Sequence, residues 1–147
     1  MPRPFRFNLQ KVLDYRAQLE DQAKQALAKA EQAHQAGRAR VEHIQSSLSA
    51  HLEAMSQGGA KSAADIWLGR NYAKRLAGDL YLAQQEEARL AQDVILRRQE
   101  LVDRAKERKL LEKLKETQAE RHARDENRKE QAEFDEMATL RYQVPAV

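Results

Sequence analysis

The strongest constraint in this chain is a period. From Leu9 onward small or apolar residues recur at steps of three and four: Leu9, Val12, Leu19, Ala23, Ala26, Ala30, Ala33 and Gly37, then Val41, Ile44, Leu48, Leu52 and Met55. That stepping is the heptad seam of a coiled-coil helix, interrupted at Arg16. At Gly37–Val41 and Leu48–Leu52 steps of four follow one another, which locally relaxes a left-handed supercoil. Ala and Gly hold the middle of the seam where a strong coiled coil places Leu and Ile. Two helices can approach closely there, but little area is removed from water, and each Å² contributes only about 25 cal/mol.

Composition agrees with a long helix rather than a thick core. Of 147 residues 33% are charged and 5% aromatic, and two of the three Phe stand in the first seven positions. Ala, Glu, Lys, Leu, Arg and Gln dominate, the mixture of helices with a narrow apolar seam. No apolar run approaches the roughly 20 residues that span a bilayer. The first residues, Met1-Pro-Arg-Pro-Phe-Arg-Phe, lack the apolar stretch of a secretory signal, so a cytoplasmic protein is expected. Without cysteine there is no disulfide framework or thiolate metal site.

Helix one is expected over about residues 8–56. Pro2 and Pro4 keep the start extended, Asn8 stands at the N-cap, and Phe7 and Val12 occupy the positions of a hydrophobic staple. Gly58 and Gly59 make residues 57–61 the one interior break, since each glycine costs a helix about 1 kcal/mol relative to Ala. Ser62 followed by Asp65 reads as a capping-box variant opening helix two, about residues 62–141. A connection this short makes the helices antiparallel neighbours. The expected fold is all-α, a long antiparallel two-helix coiled-coil hairpin forming one domain over residues 1–147, with a short C-terminal tail.

Helix two has its own seam through Tyr72, Leu76, Leu80, Ala83, Leu90, Val94, Leu101, Leu111 and Leu114. Beyond Leu114 only alanines offer anything to bury until Phe134, Met137 and Leu140. With the turn centred near residues 58–60, Asn8 falls opposite about residue 110. Helix two then overhangs as a single polar helix for roughly 30 residues, about 45 Å. Packing cannot stabilise a helix that is polar on every side, so the overhang is either solvated and frayed or held by a partner. Phe134, Met137 and Leu140 favour a docking stripe.

Several chemistries find no support. A two-helix rod has no cleft to exclude water from catalytic groups, so no enzyme activity and no cofactor are expected. His34, His43, His51 and His122 lack the i, i+3 or i, i+4 spacing of metal ligands on one helical face. Gly58-Gly59 is not followed by the residues of a phosphate-binding loop. The basic cluster Arg97, Arg98, Arg104, Lys106, Arg108 and Lys109 interleaves with Glu100, Asp103 and Glu107. Those spacings give ion pairs along the helix and a salt-laced face rather than a nucleic-acid or membrane surface. Ile66, Trp67, Tyr72 and Tyr81 gather large residues beside the turn. They either cap the open end of the hairpin or anchor a partner.

Three segments in this order carry a family resemblance. Phe5-Arg-Phe-Asn-Leu-Gln-Lys-Val-Leu-Asp-Tyr-Arg16 resembles the opening of the flagellar export protein FliJ family, and residues 67–76 resemble the start of its second helix. Leu111-Glu-Lys-Leu-Lys-Glu116, with Phe134-Asp-Glu-Met-Ala-Thr-Leu-Arg141 after a polar stretch, is similar to its C-terminal pattern. The resemblance implies a non-enzymatic component of the bacterial flagellar type III export apparatus. Such a component is a coiled coil like the central stalk of a rotary ATPase. It implies three partners: the hexameric export ATPase, the export-gate protein FlhA, and export chaperones. It places the protein in the cytoplasm, peripherally at the inner membrane beneath the flagellar basal body. By position, Trp67, Tyr72, Leu76, Asp79 and Ala83 would face the gate. Leu9, Val12, Leu13, Arg16, Leu111, Leu114, Phe134, Met137, Leu140 and Arg141 would enter the ATPase ring. The competing class is a structural coiled-coil adaptor that self-associates through Phe134, Met137 and Leu140 and has no ATPase partner.

Overall fold

The computed structural model describes residues 3–59 and 61–143, with only the backbone of Gln143. Ala60, Pro2 and the expected tail from residue 144 lie outside the described residues. Two helices follow one another: α1, Gln10–Gln57, and α2, Ala63–Gln143. The chain is all-α among the described residues, and its helices pack against each other within two compact units. One unit comprises Met1–Glu20 with Asp103–Val147, the other Asp21–Val102.

The local start and stop signals act as physical chemistry requires, with one shift. Ser62 caps α2: its hydroxyl accepts from the Asp65 N–H at 3.2 Å and its carbonyl from the Ile66 N–H at 3.1 Å. At α1 the first i to i+4 bond is accepted by Leu9, from Leu13 at 2.9 Å, after a turn in which Phe7 accepts from Gln10 at 3.1 Å. The cap position is therefore Leu9 rather than Asn8. No Phe7–Val12 staple results, because Phe7 is buried while Val12 is 40% exposed.

The unit Asp21–Val102 is an antiparallel helical hairpin. Its α1 seam runs Ala23, Leu27, Ala30, His34, Gly37, Val41, Ile44, Leu48, His51 and Met55, all buried or half-buried. The facing α2 seam runs Gly69, Ala73, Leu76, Leu80, Ala83, Glu87, Leu90, Val94, Arg97 and Leu101. Both alternate steps of three and four without a break, so the supercoil is not relaxed where the apolar residues suggested. His51 takes the seam position expected of Leu52, which is 49% exposed. Small residues bring the backbones together. A Cβ added to Gly37 would stand 2.9 Å from Leu90 Cδ1, and one on Gly69 would stand 3.2 Å from Met55 Cε.

Of the polar residues in the seam, His34, Glu87 and His51 are paired across it, and Arg97 pairs along α2 with Asp93 and Glu100. His34 Nε2 lies 2.7 Å from Glu87 Oε1, and His51 Nε2 donates to the Gly69 carbonyl at 2.8 Å. The His51 ring also meets Tyr72 edge-on, with centroids 4.7 Å apart. Each bond satisfies a group that would otherwise lose water without compensation.

The other unit is stapled by charge. Glu20, only 6% exposed, accepts from Arg108 Nε, and Arg108 also reaches Glu112 at 2.7 Å. Hydrogen bonds first to Glu20 and then to Glu112 raise the Arg108 pKa above its ordinary value. Glu107 accepts from Arg16 at 2.8 Å and from Arg104 at 3.4 Å. Leu13 and Phe7 supply the buried apolar surface. Beyond the start of α1 the chain continues along α2: the His122 Nε2 lies 2.7 Å from the Arg3 carbonyl, and Phe5 stacks on the His122 ring at 5.7 Å.

That last contact corrects the expected overhang. Residues 3–20 cover α2 as far as Glu126, which is half-buried, whereas every residue from 127 to 142 is exposed. The uncovered end is residues 127–142, about 24 Å of helix. It is shorter than expected because the extended segment before α1 lies along α2, with Arg3 and Phe5 against His122.

Candidate interaction surfaces

The uncovered end of α2 carries the first candidate surface. Phe134, Met137 and Leu140 are 67, 57 and 57% exposed, and Tyr142 follows them. Arg3, Glu126, Lys129, Glu133, Phe134 and Met137 line an open groove beside it. Between Lys129 and Arg141 the sequence has four carboxylates, Glu130, Glu133, Asp135 and Glu136, and no base. Helicity is supported locally: Gln131 donates to Asp135 at 3.2 Å, and Lys129 lies 3.7 Å from Glu126. An apolar stripe on an acidic, unpaired helix is suited to lying in a groove on another protein.

The residues expected at the ATPase ring divide between surface and interior. Leu9, Val12, Leu114, Phe134, Met137, Leu140 and Arg141 are exposed. Leu13 is buried at 7%, Leu111 is half-buried, and Arg16 is held by Glu107. These three build the unit and offer a partner little surface.

The residues expected at the gate divide in the same way. Leu76 and Ala83, 9 and 6% exposed, lie in the seam. Tyr72 and Asp79, two turns apart, share one exposed flank of α2, whereas Trp67 points about 140° away from Tyr72 and is 65% exposed. Of the two readings for the aromatics beside the turn, a buried cap does not describe them: Ile66, Trp67, Tyr72 and Tyr81 are all at least 43% exposed.

Reasoning from one apolar seam missed Leu68, Leu82, Ile95, Leu96 and Tyr142, all more than half exposed. The signal that finds the first four is a second period, in which apolar pairs recur every 14 residues. Among the described residues no group of three His, Cys, Asp or Glu is placed to hold a metal ion, and no helix is long and apolar enough to cross a membrane.

A family model described as the flagellar FliJ protein matches residues 5–146, nearly the whole chain. The chain belongs to the FliJ family. FliJ proteins are components of the flagellar export apparatus, which places this chain in protein transport and motility. No curated protein and no solved structure matches it.

Proposed function

We propose that this FliJ-family protein is a non-enzymatic coupling element of the export apparatus that binds the hexameric export ATPase through the uncovered end of α2. Phe134, Met137, Leu140 and Arg141 make the main contact, with Leu9, Val12 and Leu114 as further contacts, Leu114 lying about 30 Å back along α2. Tyr72 and Asp79 engage the export-gate protein FlhA, and export chaperones are escorted by the same molecule. It works in the cytoplasm, held at the inner membrane by protein partners.

The observation that carries this reading is a helix of residues 127–142 with every side chain in water and its apolar residues on one stretch. Such a helix has no packing partner of its own, and a ring supplies one. Contact with one or two of six equivalent subunits would bias their order of hydrolysis. Adding the protein to purified export ATPase should raise turnover severalfold, and a chain ending at Glu126 should not. That truncation removes only uncovered helix and leaves the Arg3 and Phe5 contacts with His122 in place. Equal stimulation by the shortened chain would remove residues 127–143 from the coupling role.

A further inference from the structure

The outer face of α2 in the unit Asp21–Val102 has an organisation that the seam does not explain. Trp67 and Leu68, Tyr81 and Leu82, and Ile95 and Leu96 form three apolar pairs, each member between 56 and 66% exposed. They stand 14 residues apart, two heptads, or about 21 Å along the helix. Because the seam keeps its alternation of three and four from Gly69 to Leu101, residues 14 apart hold the same angle to it. The pairs therefore fall on one line facing away from α1.

Charge on this face is one-sided. Between the pairs lie Lys74 with Arg75, and Ala88 with Arg89, while the row midway between them is Asn71, Gly78, Gln85, Gln92 and Gln99. No carboxylate stands on these three rows from residue 64 to residue 99. The acids of the same stretch, Asp65, Asp79, Glu86 and Asp93, keep to the flank shared with Tyr72, and Glu87 is in the seam. Arg89 leans to that flank and bonds Glu86 at 3.0 and 2.5 Å. Lys74 and Arg75 stand exposed between the first two pairs.

We propose that this face docks an acidic amphipathic helix of a partner protein, which seats apolar side chains at the three pairs and carboxylates against Lys74 and Arg75. A helix fits better than a bilayer. The apolar pairs are separated by charged residues, and the Asn and Gln row would lose water in lipid without gaining partners, whereas a helix can bond it. Gly78, with nothing within 4 Å of an added Cβ, leaves room for close approach at the centre of the face. A second copy fits worse. Pairing the faces parallel and in register sets Lys74 and Arg75 against their own copies, and pairing them antiparallel about Tyr81 and Leu82 sets Lys74 against Arg89 and Arg75 against Ala88, so neither base meets an acid. The surface is distinct from the acidic end of α2 and from the Tyr72–Asp79 flank.

Trp67 is the one tryptophan of the chain and 65% exposed, so its emission reports on the face. The full-length protein is titrated with a designed helical peptide of about 30 residues carrying leucine pairs two heptads apart and glutamates between them. A lysine-for-glutamate version and phosphatidylglycerol vesicles form the other arms. The expected result is a saturable blue shift with the acidic peptide alone. It should weaken at least about tenfold in Leu82→Gln/Leu96→Gln and in Lys74→Glu/Arg75→Glu, and stay unchanged in Phe134→Ala/Met137→Ala. All substituted residues are exposed, and retained helicity by circular dichroism confirms that the variants fold. The proposal is overturned by no shift, by equal binding of the lysine peptide, by a shift with vesicles but not peptide, or by a shift that follows protein concentration alone. The last two results would assign the face to a lipid surface and to a second copy.

Discussion

Two stretches of α2 differ as much as one helix allows. Over residues 69–101 every third or fourth side chain is withdrawn from water against α1, and Glu87 in that row is bonded across it to His34. Over residues 127–142 no side chain is covered. The first stretch is helical because packing requires it. The second is helical by propensity and by short-range pairs such as Gln131 with Asp135, which stabilise a helix by only tenths of a kcal/mol each. The difference separates residues that build the protein from residues free to meet a partner.

Substitution should break that contrast most visibly at Leu76 and Met137. Leu76→Ala should lower stability by about 2 kcal/mol in urea unfolding, whereas Met137→Ala should stay within about 0.5 kcal/mol and yet reduce ATPase stimulation. The charged staple comes next. Glu20→Ala leaves the Arg108 guanidinium without its buried acceptor, and the thermal midpoint should fall clearly further than in Glu112→Ala, whose carboxylate is half in water.

Glycines sharpen the comparison at smaller scale. Gly78→Ala meets nothing and should stabilise the helix by up to about 1 kcal/mol. Gly37→Ala should gain less, because its Cβ pushes Leu90 Cδ1 from 2.9 Å. Smallest is the acid response of the exposed Glu86–Arg89 pair. The hydrogen bond from Arg89 holds the Glu86 carboxyl below its ordinary 4.5. A depressed carboxylate contributes stability above the unfolded value and loses it as pH falls through the folded one. Arg89→Gln should therefore slightly flatten the acid side of the stability profile below pH 4.5.

The helices, the glycine break and the Ser62 cap were legible in the sequence because each rests on local chemistry. Seam residues such as Glu20, His34, His51, Glu87 and Arg108 were not. A polar residue reads as outward-facing until its partner on the other helix is known, and those partners stand 18 to 88 positions away. The same blindness shifted one seam position from His51 to Leu52 and hid the return of Arg3 and Phe5 to His122. The exposure of Phe134, Met137 and Leu140 was legible because the stretch before them has no apolar seam to pack against a second helix. Leu13, Leu76 and Ala83 were placed by family position, which carries no information about which side of a helix is already occupied.

Hydrogen–deuterium exchange of the full-length protein, alone and with the hexameric export ATPase, tests the central claim most directly. The account predicts slow exchange over residues 73–101 in both samples, and fast exchange over residues 127–142 that becomes protected when the ring is added. Protection of residues 127–142 in the free monomer, or none with the ring present, would contradict it.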